Sequence, residues 1–94
     1  MKKRKIDMAT LTAQIRKILR ETNAAKYDLL YTNKYENCRT VKCYIDTAEL
    51  TDVAQARIED LCVQLNIPVT FKRRYNSSAW GAMSSFIVRV PLEN

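Results

Sequence analysis

Histidine is absent from this 94-residue sequence, glycine occurs once, at Gly81, and proline twice. Without histidine the chain lacks the usual general base near neutral pH and the commonest metal ligand. A single glycine excludes a Walker loop, a dinucleotide fingerprint and any other glycine-built phosphate cradle. No apolar run approaches the ~20 residues of a membrane helix, so no membrane span is expected. The three cysteines, Cys38, Cys43 and Cys62, are odd in number and lack C-x-x-C spacing. That pattern predicts small apolar core residues rather than a disulfide framework. A zinc site would need a fourth ligand from Asp or Glu, so none is expected. Met1 to Lys5 is charged and no apolar run follows it, which predicts no signal peptide and a reducing cytoplasm. In that compartment the Asn76-Ser77-Ser78 sequon has no meaning.

What is present is positive charge and a sufficient supply of large apolar side chains. Lys plus Arg total 16 against 10 Asp plus Glu, for a formal charge of +6. Lys2 to Lys5 contributes four of the positive charges and Lys72 to Arg74 three, so the remaining residues together sum to −1. The chain is thus electrically polarised, which favours a directed binding face over diffuse attraction. Residues 1–6 are expected to form a basic, unstructured arm and residues 7–94 one domain.

Met8, Leu11, Ile15, Ile18 and Leu19 recur at helical spacing and predict an amphipathic helix over about residues 8–24, capped by Asp7 or Thr10. Residues 27–32 alternate as a strand. After the polar run 33–37, Arg39, Val41, Cys43 and Ile45 alternate with Thr40, Lys42, Tyr44 and Asp46 as a half-buried strand does. Asp46 stands three residues before Glu49, which resembles a capping box and predicts a second helix from Thr47 or Ala48. Leu50, Val53, Ala54, Ile58, Leu61, Cys62 and Leu65 give that helix its buried stripe, and Asn66 with Pro68 ends it. Val69, Phe71, Arg73 and Tyr75 alternate with Thr70, Lys72 and Arg74 in a third strand. Phe86, Val88 and Val90 alternate with Ile87 and Arg89 in a fourth. Residues 76–83, which include Trp80 and Gly81, read as a long loop between them.

The order α-β-β-α-β-β predicts an α+β two-layer sandwich, a four-stranded antiparallel sheet with both helices on one face. It equals the ferredoxin-like β-α-β-β-α-β order with its first strand moved to the end. Two helix-plus-hairpin halves are compatible with duplication, although no residue identity between them supports it. Unpaired hairpin edges would let a second copy extend the sheet as a homodimer.

If Val41, Cys43, Ile45, Val69, Phe71, Phe86, Val88 and Val90 face the helices, then Lys42, Tyr44, Lys72, Arg74, Ile87 and Arg89 face away. Lysines and arginines beside an aromatic ring on an open sheet suit single-stranded nucleic acid, phosphates meeting the cations and bases the ring. The same residue types also furnish ordinary solvated sheet faces. Lys72, Arg73, Arg74 and Tyr75, leading through Asn76 to Trp80, are the densest constellation of donors and rings. The expected binding set is therefore Lys42, Tyr44, Lys72, Arg73, Arg74, Tyr75, Trp80 and Arg89. The expected function is non-enzymatic nucleic-acid binding, mainly through phosphates. The alternative is a protein-interaction module, a small inhibitory or accessory protein docking an acidic partner through the same patch. Asp46, Glu49 and Asp52 could be imagined around Mg²⁺, but helix capping and the helix dipole account for carboxylates there. No cofactor is implied.

Overall fold

A computed structural model of the chain describes residues 6–35, 38–47, 49–78 and 81–91; the predicted basic arm lies almost wholly outside them. Helix α1 runs over Met8–Thr22, ending slightly earlier than the periodicity predicts. Asp7 is its N-cap: the carboxylate accepts from Ala9 N at 3.4 Å and from the Thr10 hydroxyl at 2.7 Å. All five apolar residues of the predicted stripe, Met8, Leu11, Ile15, Ile18 and Leu19, are buried.

Strands β1 (Tyr27–Tyr35) and β2 (Cys38–Asp46) form the first hairpin, and β3 (Val69–Ser77) and β4 (Gly81–Pro91) the second. The sheet is antiparallel throughout, with order β1-β2-β4-β3, so β2 and β4 are central and β1 and β3 are the edges. This order is that of a ferredoxin-like sheet whose first strand has moved to the chain's end, as the element order predicts. Val41, Cys43 and Ile45 of β2 and Phe86, Val88 and Val90 of β4 share one cluster with residues of both helices. Both helices therefore pack on the same face of the sheet, in two layers.

Helix α2 spans Asp52–Leu65, starting later than the Asp46–Glu49 pattern predicts. Asp46 is instead the last residue of β2, paired with Met83 of β4, and this pairing holds it extended and unable to cap. The chain then breaks at Thr47, whose φ of 60° is strained for a β-branched residue. Thr51 is the true N-cap. Its hydroxyl accepts from Ala54 N at 3.1 Å and donates to the Thr22 carbonyl at 2.7 Å, while its own N–H donates to Asn23 Oδ1 at 2.8 Å. One threonine thus satisfies groups at the end of α1 and at the start of α2, fixing the two helices to each other. The later start also changes the buried stripe: Leu50 is buried just ahead of the helix, whereas Val53 is 58% exposed. At the other end Asn66 takes the left-handed conformation, and its N–H and that of Ile67 close the last carbonyls before Pro68.

The predicted long loop 76–83 is mostly strand. Asn76 pairs with Ala82 and Ser77 with Gly81, so the ladder continues and only residues 78–80 connect the strands. Gly81 has φ 81°, the conformation a tight reversal demands and one that other residues enter at a cost.

Candidate nucleic-acid interface

Strand register assigns each predicted site residue to a face. Lys42 pairs with Ile87, Tyr44 with Ser85, Lys72 with Ser85, Thr70 with Ile87 and Thr40 with Arg89. Each lies one residue out of step with the buried Val41, Cys43, Ile45, Phe86 and Val88, so this set occupies the face away from the helices. Lys72, Thr70 and Arg89 are exposed there; Lys42, Tyr44, Ser85 and Ile87 are half-buried among their neighbours. From Met83 to Arg89 the row covers six residue steps, roughly 20 Å along β4.

The ion pairs among the described residues are Arg57 with Glu21 at 3.1 Å and Arg73 with Asp52 at 2.8 Å. All four partners belong to the helices or to the helix-facing side, so among the described residues no carboxylate stands at ion-pair distance from Lys42, Lys72 or Arg89. Two exposed acids share the open face, Asp28 opposite Tyr44 and Asp46 opposite Met83, both toward one end and away from Arg89. The positive band therefore runs from Arg89 on β4 through Lys42 on β2 to Lys72 on β3.

Strand β3 departs from simple alternation. Lys72 pairs with Ser85 but Tyr75 pairs with Met83, so one extra residue is accommodated between them, a β-bulge. Arg74 takes φ 53° within it and donates its N–H to Ser84 Oγ at 3.0 Å. Alternation places Tyr75 with Val69 and Phe71 on the helix side; the bulge moves it to the open face beside Lys72. The Lys72 ammonium lies 4.4 Å from the Tyr75 ring centroid, and the Tyr75 hydroxyl is 3.3 Å from Ser85 Oγ.

Two further expectations are corrected at the same place. Arg73 does not belong to the open patch: its guanidinium donates to Asp52 Oδ1 at 2.8 Å, to Gln55 Oε1 at 3.2 Å and to the Leu50 carbonyl. It is a clamp on the start of α2, and its hydrogen bond holds the Asp52 carboxyl below the ordinary carboxylate range. Arg74 is exposed within the bulge, outside the row of alternate residues, and its charge also acts on Asp52. Trp80 lies outside the described residues. The open face thus brings together Lys42, Tyr44, Lys72, Tyr75 and Arg89 of the expected set.

Sequence reasoning overlooked Met83 and Ser85, because the fourth strand was begun at Phe86; continuing its alternation backward finds both. Met83 is only 4% exposed and yet stands apart from the main apolar cluster. By register it belongs to the open face, between Asp46 and Tyr75.

Among the described residues no three acids or cysteines gather as a metal site would require. Cys43 and Cys62 are buried, and desolvation raises their thiols to about 12 and about 11, far from the thiolate a nucleophile needs. No helix of the described residues is long and apolar enough to cross a membrane. The chain matches no protein-family model, no curated protein and no solved structure.

Proposed function

We propose that this protein is a non-enzymatic binder of single-stranded nucleic acid, engaging it mainly through phosphates on the open sheet face and with weak sequence selectivity. One observation carries the reading: Lys42, Lys72 and Arg89 stand together with Tyr44 and Tyr75 on an uncovered face, while the neighbouring cation Arg73 is consumed by α2. Cations without carboxylate partners supply phosphate contacts, and rings on a flat sheet supply sequence-tolerant stacking. The buried thiols of Cys43 and Cys62 suit a reducing cytoplasm.

The test is fluorescence anisotropy with a labelled oligothymidylate across a salt series. Three phosphate contacts on a single strand predict a slope of about −2 in log–log form, which weakens binding roughly 20-fold between 50 and 200 mM salt. Micromolar or tighter binding is expected at low salt. Replacing Lys42, Lys72 and Arg89 together by Gln should remove that slope contribution while leaving the circular dichroism spectrum unchanged. Absence of binding at low salt ends the proposal. Recovery of one stoichiometric acidic protein after nuclease treatment would instead assign the face to a protein partner.

A further inference from the structure

We infer that Lys72, Tyr75 and Ser85 form a subsite for one unpaired nucleotide, in which the base takes the place of the Lys72 ammonium on the Tyr75 ring and the ammonium passes to that nucleotide's phosphate. The inference rests on the nucleic-acid reading above and specifies how one position of that face works.

In a regular strand, residues three apart point to opposite faces. Lys72 and Tyr75 reach the same face only because β3 carries an extra residue, and that residue is held with Arg74 at φ 53°, a sparsely populated conformation for a side chain of this kind. Strain of this sort persists where the surroundings over-determine it, and it recurs at ligand sites. Here its product is specific. The backbone of Tyr75 pairs with Met83 while its hydroxyl reaches Ser85 two residues further along, so the ring spans the Met83–Ser85 stretch of β4. The Lys72 ammonium stands over this ring, 4.4 Å from its centroid.

The exchange is favoured by magnitudes. An ammonium over an exposed ring is worth about two- to fivefold in an equilibrium constant. Stacking of a base on such a ring is worth roughly five- to 150-fold. A base therefore displaces the ammonium, and the flexible lysine stem keeps the charge within reach of the attached phosphate. Tyr44, which pairs with the same Ser85 from β2, stands across β4 about two strand spacings, roughly 10 Å, away and offers a second ring to the continuing strand. Paired bases in a duplex cannot lie on either ring, so the subsite selects unpaired strands.

The experiment compares an oligothymidylate with an abasic phosphodiester of the same length, titrated into the full chain and three variants. The wild-type protein should prefer the base-bearing strand by fivefold or more. Tyr75→Leu should lower that preference to the part that Tyr44 supplies, and Tyr75→Phe should retain it in full. Lys72→Gln gives the signature of exchange: its salt slope falls by about 0.7, while its preference for the base-bearing strand rises two- to fivefold because nothing competes for the ring. A Tyr75→Leu protein that keeps the preference in full, or a Lys72→Gln protein whose preference does not rise, overturns the inference. Equal, salt-dependent binding of both strands by the wild-type protein overturns the subsite and leaves phosphate binding standing, whereas binding of neither strand at low salt removes both.

Discussion

The two faces of the sheet are built from the same strands, one residue out of step, and they differ in burial and charge. Val41, Cys43, Ile45, Phe86, Val88 and Val90 lie at 1% exposure or less beneath the helices. Their immediate neighbours Lys42, Tyr44, Ile87 and Arg89 form a row of two cations, one ring and an isoleucine on the other face. Parity alone decides whether a side chain packs beneath the helices or stands on the open face. Stability and binding should therefore separate residue by residue.

The largest effect should come from setting the adjacent residues Phe86 and Ile87 against each other. Phe86 is fully buried, its ring 5.6 Å from that of Phe71 and tilted 47° to it. Phe86→Ala should cost about 3–5 kcal/mol in urea unfolding. Ile87→Ala, on the half-buried open row, should cost less than about 1 kcal/mol. Equal losses would mean that the open face is covered in solution, by a second copy for example, and would break the contrast.

Alkali should sharpen the same distinction through the buried thiols. The Cys43 thiol is pushed from 9.0 up to about 12 and that of Cys62 up to about 11, desolvation being the leading cause for both. Below pH 9 both states keep these thiols protonated and their stabilising effect is fully present. Above pH 9 the unfolded chain releases protons that the folded chain retains. Stability then falls with rising pH, by about 1.4 kcal/mol per pH unit for each thiol, until the folded thiol itself ionises. Cys43→Ala should remove about half of this alkaline slope between pH 9 and 11. A thiol reagent should meanwhile modify half-exposed Cys38 first in the native protein, and the other two only on unfolding. Fast reaction of all three would show that the helix-covered face opens.

Most of this arrangement was legible in the sequence because it rests on local periodicity. The apolar spacing of α1 and the alternation of β2 and of Phe86, Val88 and Val90 follow from burial alone, and they bring Lys42, Tyr44 and Arg89 to one face. The unread parts depend on groups distant in the chain. Asp46 and Glu49 have the spacing of a capping box, but pairing with Met83 keeps Asp46 in the sheet and Thr51 caps α2. Lys72 to Tyr75 alternates like any strand. Its bulge exists in relation to β4, where Ser84 Oγ receives the Arg74 N–H, and nothing in the four residues themselves announces it. That bulge is what brings Tyr75 to the face of Lys72, whereas Arg73 keeps the helix-side parity of Val69 and Phe71.

Arg73 and Lys72 therefore offer the finest test, since adjacent cations of one strand have opposite fates. Arg73→Gln removes donors from the Leu50 carbonyl and Gln55 and should cost about 1–3 kcal/mol through those unmet hydrogen bonds, while leaving oligonucleotide affinity nearly unchanged. Lys72→Gln should change stability by less than about 0.5 kcal/mol and act on binding instead. The acid limb supplies an independent check on Arg73. Its hydrogen bond to Asp52 holds that carboxyl below 3.8, so between the two values the unfolded chain binds more protons than the folded one. The pair's contribution is present above pH 3.8 and is lost as pH falls through the lowered folded value. Arg73→Gln should flatten this part of the pH profile, as should Asp52→Asn, and the double variant should flatten it no further than either alone. Additive flattening would place the partner of Arg73 elsewhere and return its charge to the set that a nucleic acid could use.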